Sequence, residues 1–418
     1  MKARRMYPAV AAALGLFPLA ACATNGYWSH SYGIKSAGMA GVAIALPQDA
    51  MAGAANPAGL PWVAHRFDVG MTYFKPDRSA EITGNGFGLN GAYDGNGKSA
   101  FLLPEFGYNR MMRPDLAHGL LVYGNGGMNT RYEKSPFAAF GGPSPAGVTL
   151  EQLFIAPTIA WKIRDRYSIG ATLNLIQQRF AADGLQPFAQ ASSNPSALTN
   201  RGYASSTGWS LRLGWTGMVT DTLTLGATYQ TKGFMGRFDS YSGLYADKGA
   251  FDIPANYGVG FAWRATPAWT IAADVQKIDY SGIAAIANPI SRLTQQGVPL
   301  GMAGGPGFGW RDMTVVKIGT SYDVSGDLTL RGGVSFGRQP IPASETFFNL
   351  LAPGVVERHL SLGATWKFGK NKEITAAYTH GFDKTVNGSG SIPANFGGGE
   401  TNLRMHQDML GISFGMRI

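Results

Sequence analysis

The chain has 418 residues, with 15% charged, 12% aromatic, 58 glycines, a formal net charge of +9 and a mean hydropathy of −0.05. That charge content lies well below the roughly 25% of soluble proteins, while the near-zero hydropathy excludes a helical membrane protein. The positive residues are scattered without a basic run, which excludes a nucleic-acid patch. What fits is a chain in which apolar residues alternate with small polar ones.

"MKARRMYPAVAAALGLFPLAACA" opens the chain as a secretory signal: basic Lys2, Arg4 and Arg5, an apolar stretch from Ala9 to Ala21, then small residues. The apolar part is shorter than the ~20 residues a bilayer span needs. Its removal leaves a charge of 9 − 3 = +6. Cys22, the one cysteine, permits no internal disulfide. Two processing readings stand here. Ala21-Cys22-Ala23 fits ordinary cleavage before Thr24, and Leu19-Ala20-Ala21-Cys22 fits a lipobox that leaves Cys22 acylated.

Residues 38–60 are nearly uncharged and crowded with Ala, Gly and Met. Pro47, Gln48, Asp49, Asn56 and Pro57 interrupt the run, so it cannot face lipid, where an irregular backbone leaves polar groups unsatisfied. Small side chains with a few polar anchors suit a plug packed inside another structure.

From residue 62 onward, period-two alternation predicts strands. In "LTLGATYQT" (223–231), Leu223, Leu225, Ala227 and Tyr229 oppose Thr224, Gly226, Thr228 and Gln230. "YGVGFAWR" (257–264), "WTIAADVQ" (269–276) and "LTLRGGVSF" (328–336) behave likewise. Short turns at 113–118, 164–166, 220–222, 265–268, 324–327 and 369–372 alternate with long loops near 84–100, 134–149, 183–204, 244–252, 282–311, 338–355 and 388–404. The count gives about fourteen strands, an even number suited to an antiparallel transmembrane β-barrel of the Gram-negative outer membrane. Trp161, Trp215, Trp263, Trp269 and Trp366 fall beside the short turns and predict an interfacial girdle. "DMLGISFGMRI" (408–418) alternates to the chain end, as the outer-membrane assembly machinery expects of a last strand, although Ile418 stands where Phe or Trp is usual.

The third strand, "HGLLVYGNGGMNTRY" (118–132), carries Gly124, Asn125, Gly126 and Gly127, where a kink or bulge costs little. Strand parity points Arg212, Lys317 and Arg331 into the lumen, as candidate contacts for a carboxylate there or as partners of interior acids such as Asp274. No metal or cofactor motif is present, and the six histidines make no ligand pair. His359 and Ser361 share a face, but residues two apart on a strand commonly do, and the chain does not read as an enzyme.

Several blocks together resemble a known family. "NGYWSHSYGIKSAGMAGVAIALPQDAMAGAANPAGL" (25–60), above all Asn56-Pro57-Ala58, is similar to the N-terminal hatch of the outer-membrane long-chain fatty-acid and hydrocarbon transporter family. "IPANYGVGFAWRATPAWTIAADV" (253–275), "WRDMTVVKIGTSYDVSGDLTLRGGVSFGRQPIP" (310–342) and "THGF" (379–382) are similar to its later strands. The resemblance implies a hatch at 24–61 inside a barrel at 62–418. It also implies passive uptake of long-chain fatty acids or aromatic hydrocarbons, with hatch rearrangement and lateral exit at a kinked third strand. It favours Thr24 as the mature start, because the family's N-terminus lies in the lumen. The expected partners are a hydrophobic small molecule and outer-membrane lipid, for a monomer whose wall stays free. A general diffusion porin and a surface-exposed adhesive or structural barrel are the competing readings.

Overall fold

The computed structural model describes residues 25–418; the signal segment, Cys22 and both processing readings lie outside the described residues. Among these, one antiparallel sheet of 16 strands closes on itself. Two of the 16 are short and sit in loops, Gly91–Asp94 beside the first strand and Phe234–Met235 beside the sixth, so the wall has 16 − 2 = 14.

The wall strands in chain order are β1 (Arg66–Thr83), β2 (Phe101–Arg113), β3 (Leu116–Tyr132), β4 (Ala146–Ile163), β5 (Tyr167–Asp183), β6 (Ala204–Met218) and β7 (Leu223–Gln230). They continue as β8 (Asn256–Arg264), β9 (Trp269–Ile278), β10 (Met313–Asp323), β11 (Leu328–Gly337), β12 (Arg358–Phe368), β13 (Lys372–Val386) and β14 (Glu400–Arg417). β14 pairs with β1 along its whole length, from Arg66 opposite Arg417 to Thr83 opposite Glu400. Closure leaves no sheet edge, the condition for backbone to cross a hydrocarbon layer.

Alternation places the side chains as the sequence predicts. Every wall strand exposes large apolar residues on its outer face, such as Val69, Leu173, Leu213, Phe261, Ile318, Leu362 and Ile412. Exposed to water, each would forfeit ~25 cal/mol per Å² of apolar surface, so this face belongs in lipid. Trp161, Trp215, Trp263, Trp269 and Trp366 are all exposed beside the short turns, on one rim. The long connections gather at the other rim. Inward positions are small or polar and buried, among them Ser168, Thr172, Asn174, Ser210, Thr216, Ser361 and Thr375.

Residues 25–63 run through the lumen, and most of them are buried. The segment contains two short helical turns, Ile34–Ala37 and Ala52–Ala55, and a 3₁₀ helix, Pro57–Trp62, whose N-cap is Asn56. Wall glycines make room for it. A methyl group on Gly107 would come within 2.9 Å of Ala50 Cβ, on Gly119 within 2.8 Å of Leu60, and on Gly170 within 2.5 Å of the Pro57 carbonyl carbon. Across the lumen, the same group on Gly333 would reach 2.5 Å from Met39 and on Gly363 2.9 Å from Gly38. The small inner face is therefore fitted to the segment on most sides, not merely lining water.

Candidate functional site

Acidic wall residues hold the lumenal segment by its backbone. Glu105 on β2 accepts from Gly33 N (3.0 Å) and Ile34 N (3.1 Å), Asp68 on β1 from Ala50 N (2.8 Å), and Asp274 on β9 from Ala43 N (2.7 Å) and Ile44 N (3.0 Å). The three parity-predicted cations do point inward, and each meets a different stretch of the segment. Arg212 donates to Ala55 O (2.9 Å) and to Gln230, Lys317 to His30 O (3.0 Å) and Gly41 O (3.4 Å), and Arg331 to the Gln48 side chain (2.9 Å) and Thr365. The fold does not bring the three together into one anion site. Asn56 Nδ2 donates to Ile44 O (2.8 Å), Trp215 O (3.0 Å) and Thr216 Oγ1 (3.2 Å), while its Oδ1 accepts from Ala58 N (3.1 Å). Pro57 and Ala58 lie on Gly170, so Asn56-Pro57-Ala58 is a wall-docking turn. His359 and Ser361 do not pair; His359 Nδ1 lies 3.1 Å from Ser335 Oγ and Ser361 bonds Thr379.

The wall shifts register at Met111/Arg113, at Gly381/Lys384 and within β3, and the last of these meets the lumenal segment. β3 pairs with β4 from Leu116 to Tyr132, but Gly124 faces Leu153 and Gly126 faces Gln152, so Asn125 is an extra residue forming a bulge. On its other edge β3 pairs with β2 only up to Tyr123 opposite Glu105. Beyond that, β2 continues through Pro104, which has no N–H to offer a ladder, to Phe101. Residues 27–29 lie against this edge of β3: Ser29 N donates to Asn125 O (2.7 Å) and Gly127 N to Tyr27 O (3.0 Å). Tyr32 Oη donates to Asn125 Oδ1 (2.5 Å), and a side chain on Gly126 would strike the Tyr27 carbonyl. A cavity lined by Ser31, Tyr32, Leu103, Pro104, Gly124 and Met409 sits at the mismatch. The glycines are legible in the sequence, whereas the pairing gap is marked there only by Pro104.

Above the lumen, the long loops form a cleft lined by Val148, Leu185, Phe188, Leu244, Phe308 and Phe348 among others, with no charged side chain in its lining. Tyr245, also in its lining, touches Phe251 (ring centroids 4.8 Å), which reaches Tyr27 (6.1 Å). Tyr27 in turn packs on Tyr280 (5.5 Å) and Trp310 (6.0 Å). Aromatic contacts thus run unbroken from the cleft to the residues seated on the β3 bulge. None of these loop residues carried a sequence motif.

His30 is buried with its ring 4.4 Å from that of His359. Burial first, then the His359 ring and the Lys317 ammonium, hold its pKa well below the ordinary 6.5. The docked segment therefore keeps a neutral His30, whereas a released one takes a proton below about pH 6.5. Docking stability from this group is complete above that pH and is lost as pH falls toward the lowered value. Asp49 runs the other way. Burial, then Asp68, raises it from 3.8 to about 6, so it costs docking free energy as pH rises across that window. Between pH 6.5 and 5, hydrogen exchange of residues 27–41, corrected for intrinsic rates, should lose protection in the native chain relative to His30→Asn, which lacks the imidazole and shares the acids that act the other way. Identical profiles of the two proteins would refute the assignment.

A family model described as outer membrane protein transport protein (OMPP1/FadL/TodX) matches residues 20–417. The chain belongs to that family. This FadL/TodX member has the family's fold throughout. It superposes on the Pseudomonas putida toluene transporter TodX with a TM-score of 0.70 at 19% identity, over 93% of this chain and 99% of that one. A Pseudomonas aeruginosa FadL homologue gives 0.69 at 18% identity (94% and 99%), and the Ralstonia pickettii toluene transporter TbuX 0.67 at 18% (93% and 99%). A curated Neisseria meningitidis outer-membrane protein is 30% identical over 110 residues, which spans 25% of this chain and only 23% of that protein. As a FadL/TodX barrel, the chain is an outer-membrane transport protein.

Proposed function

We propose that this FadL/TodX barrel carries uncharged hydrophobic compounds passively from the cell surface into the outer membrane. The carrying observation is the aromatic succession from the loop cleft through Tyr245, Phe251 and Tyr27 to the bulge at Asn125. Cargo collects in the cleft, where burial gains ~25 cal/mol per Å² of apolar surface. It passes along the rings, and residues 27–29 shift to let it out sideways between β2 and β3. The lumenal segment acts as a hatch that closes the aqueous path meanwhile. Toluene is what the TodX and TbuX structures are named for, and an uncharged cleft supports that class over fatty acids. We assign Arg212, Lys317 and Arg331 to holding the hatch, since their donors already face hatch carbonyls and the Gln48 amide.

Deleting Asn125 restores an uninterrupted β3–β4 register without touching the cleft. Uptake of labelled toluene by cells depending on this protein should fall to the level of the empty vector, while the folded barrel keeps its heat-shifted gel mobility. Unchanged toluene uptake removes the lateral route. Steady ion conductance by the native chain, with passage of small sugars, would make it a porin instead.

A further inference from the structure

Of the side chains lining the loop cleft, Tyr245 alone carries a polar atom. Its hydroxyl is buried and has no hydrogen-bond partner among the described residues. Buried hydroxyls are nearly always bonded, so an orphan on a residue that lines an otherwise apolar cleft calls for a partner that arrives from outside. The ring is held firmly. Phe180 and Phe251 pack on it, each with centroids at 4.8 Å. The backbone just after it runs through three positive-φ residues, Asp247 (57°), Lys248 (62°) and Gly249 (87°). This left-handed turn is pinned by Asp247 N donating to Met302 O (2.9 Å), Lys248 N to Gly301 O (2.9 Å) and Gly249 N to Tyr245 O (3.0 Å). Two non-glycine residues in that conformation are costly, and such cost persists where surrounding structure fixes a working geometry.

Resting on the transport reading above, we infer that Tyr245 Oη is the polar contact for cargo bearing one neutral oxygen on an apolar body: a phenol, alcohol or ketone. The phenolic hydroxyl donates to, or accepts from, that oxygen. A carboxylate is disfavoured because the cleft lining holds no cation to neutralise it. The cleft thereby favours an oxygenated hydrophobe over its parent hydrocarbon.

Toluene and 4-methylphenol differ by one hydroxyl and serve as the probes. Equilibrium dialysis of the detergent-solubilised full chain should give tighter binding of 4-methylphenol than of toluene beyond their partition into detergent alone. Tyr245→Phe should weaken 4-methylphenol about 3- to 10-fold, the value of one neutral hydrogen bond, and leave toluene unchanged. A ratio of the two affinities unmoved by Tyr245→Phe overturns the inference, and so does an equal loss of both. Toluene bound with no preference for the phenol refutes the polar contact and spares the transport reading; failure of both probes to bind the native chain sinks the two together.

Discussion

Valine at both Gly170 and Gly333 should turn a closed barrel into an open channel. Each substitution places a β-carbon about 2.5 Å from a backbone atom of the lumenal segment, Pro57 C in one case and Met39 C in the other. Backbone cannot rotate away as a side chain would. Overpacking of this kind costs about 1–3 kcal/mol per site, and the two sites lie on β5 and β11, far enough apart for the costs to add. The wall itself should tolerate the change, because valine suits a strand and the ladder hydrogen bonds are untouched. The expected result is therefore selective: gel mobility still shifts on heating, whereas planar-bilayer conductance rises from near zero to a steady, porin-like level. A double variant that stays as closed as the native chain would show that the segment is not seated where Gly170 and Gly333 leave room for it.

Glu373→Gln should loosen the same segment by a different force. Glu373 on β13 bonds Lys35 Nζ at 2.5 Å and Arg66 Nη2 at 2.5 Å, with all three side chains largely buried. Arg66 keeps Asp68 at 2.5 Å after the substitution. Lys35 keeps as acceptors the Gln48 carbonyl, at 3.1 Å, and the neutral amide oxygen now at position 373, but no carboxylate at position 373 balances its buried charge. Removing one partner of a buried pair costs about 3–5 kcal/mol, most of it the desolvation of the abandoned charge. Amide exchange around Ile34–Ala37 should accelerate by two orders of magnitude or more. Adding Lys35→Met should restore much of the protection, since no unpaired ammonium then remains. Exchange at the native rate in the single variant would place Lys35 outside the hatch's anchoring.

The wall was legible because a strand in lipid announces itself locally. Leu223, Leu225 and Tyr229 against Thr224, Gly226 and Thr228 state which way each side chain points with no knowledge of any other strand. The turns at 220–222 and 324–327 say where the chain reverses, and the five tryptophans beside such turns share one rim as alternation requires. Parity also turned Arg212, Lys317 and Arg331 inward. Their partners were another matter. Lys317 bonds the carbonyl of His30, 287 residues earlier, and a backbone carbonyl leaves no mark in a sequence.

The irregular wall divides the same way. Gly124-Asn125-Gly126-Gly127 marked a place where β3 could bend, since glycine there costs no steric strain. That β2 stops pairing with β3 at Glu105, and that Tyr27 and Ser29 rest against the edge so freed, depends on three stretches meeting. The loop cleft is the extreme case: Val148 comes from the end of β4, Leu185, Leu244, Phe308 and Phe348 come from separate connections, and together they follow no period.

The sequence by itself determined a closed outer-membrane barrel, its strand directions, its girdle and a small-residue segment fit for the lumen, because period-two burial and turn chemistry act over a few residues. Only the tertiary structure decided what grips that segment, where the wall parts and where an apolar guest can lodge. Those depend on register and on contacts across hundreds of residues, which local preference does not encode.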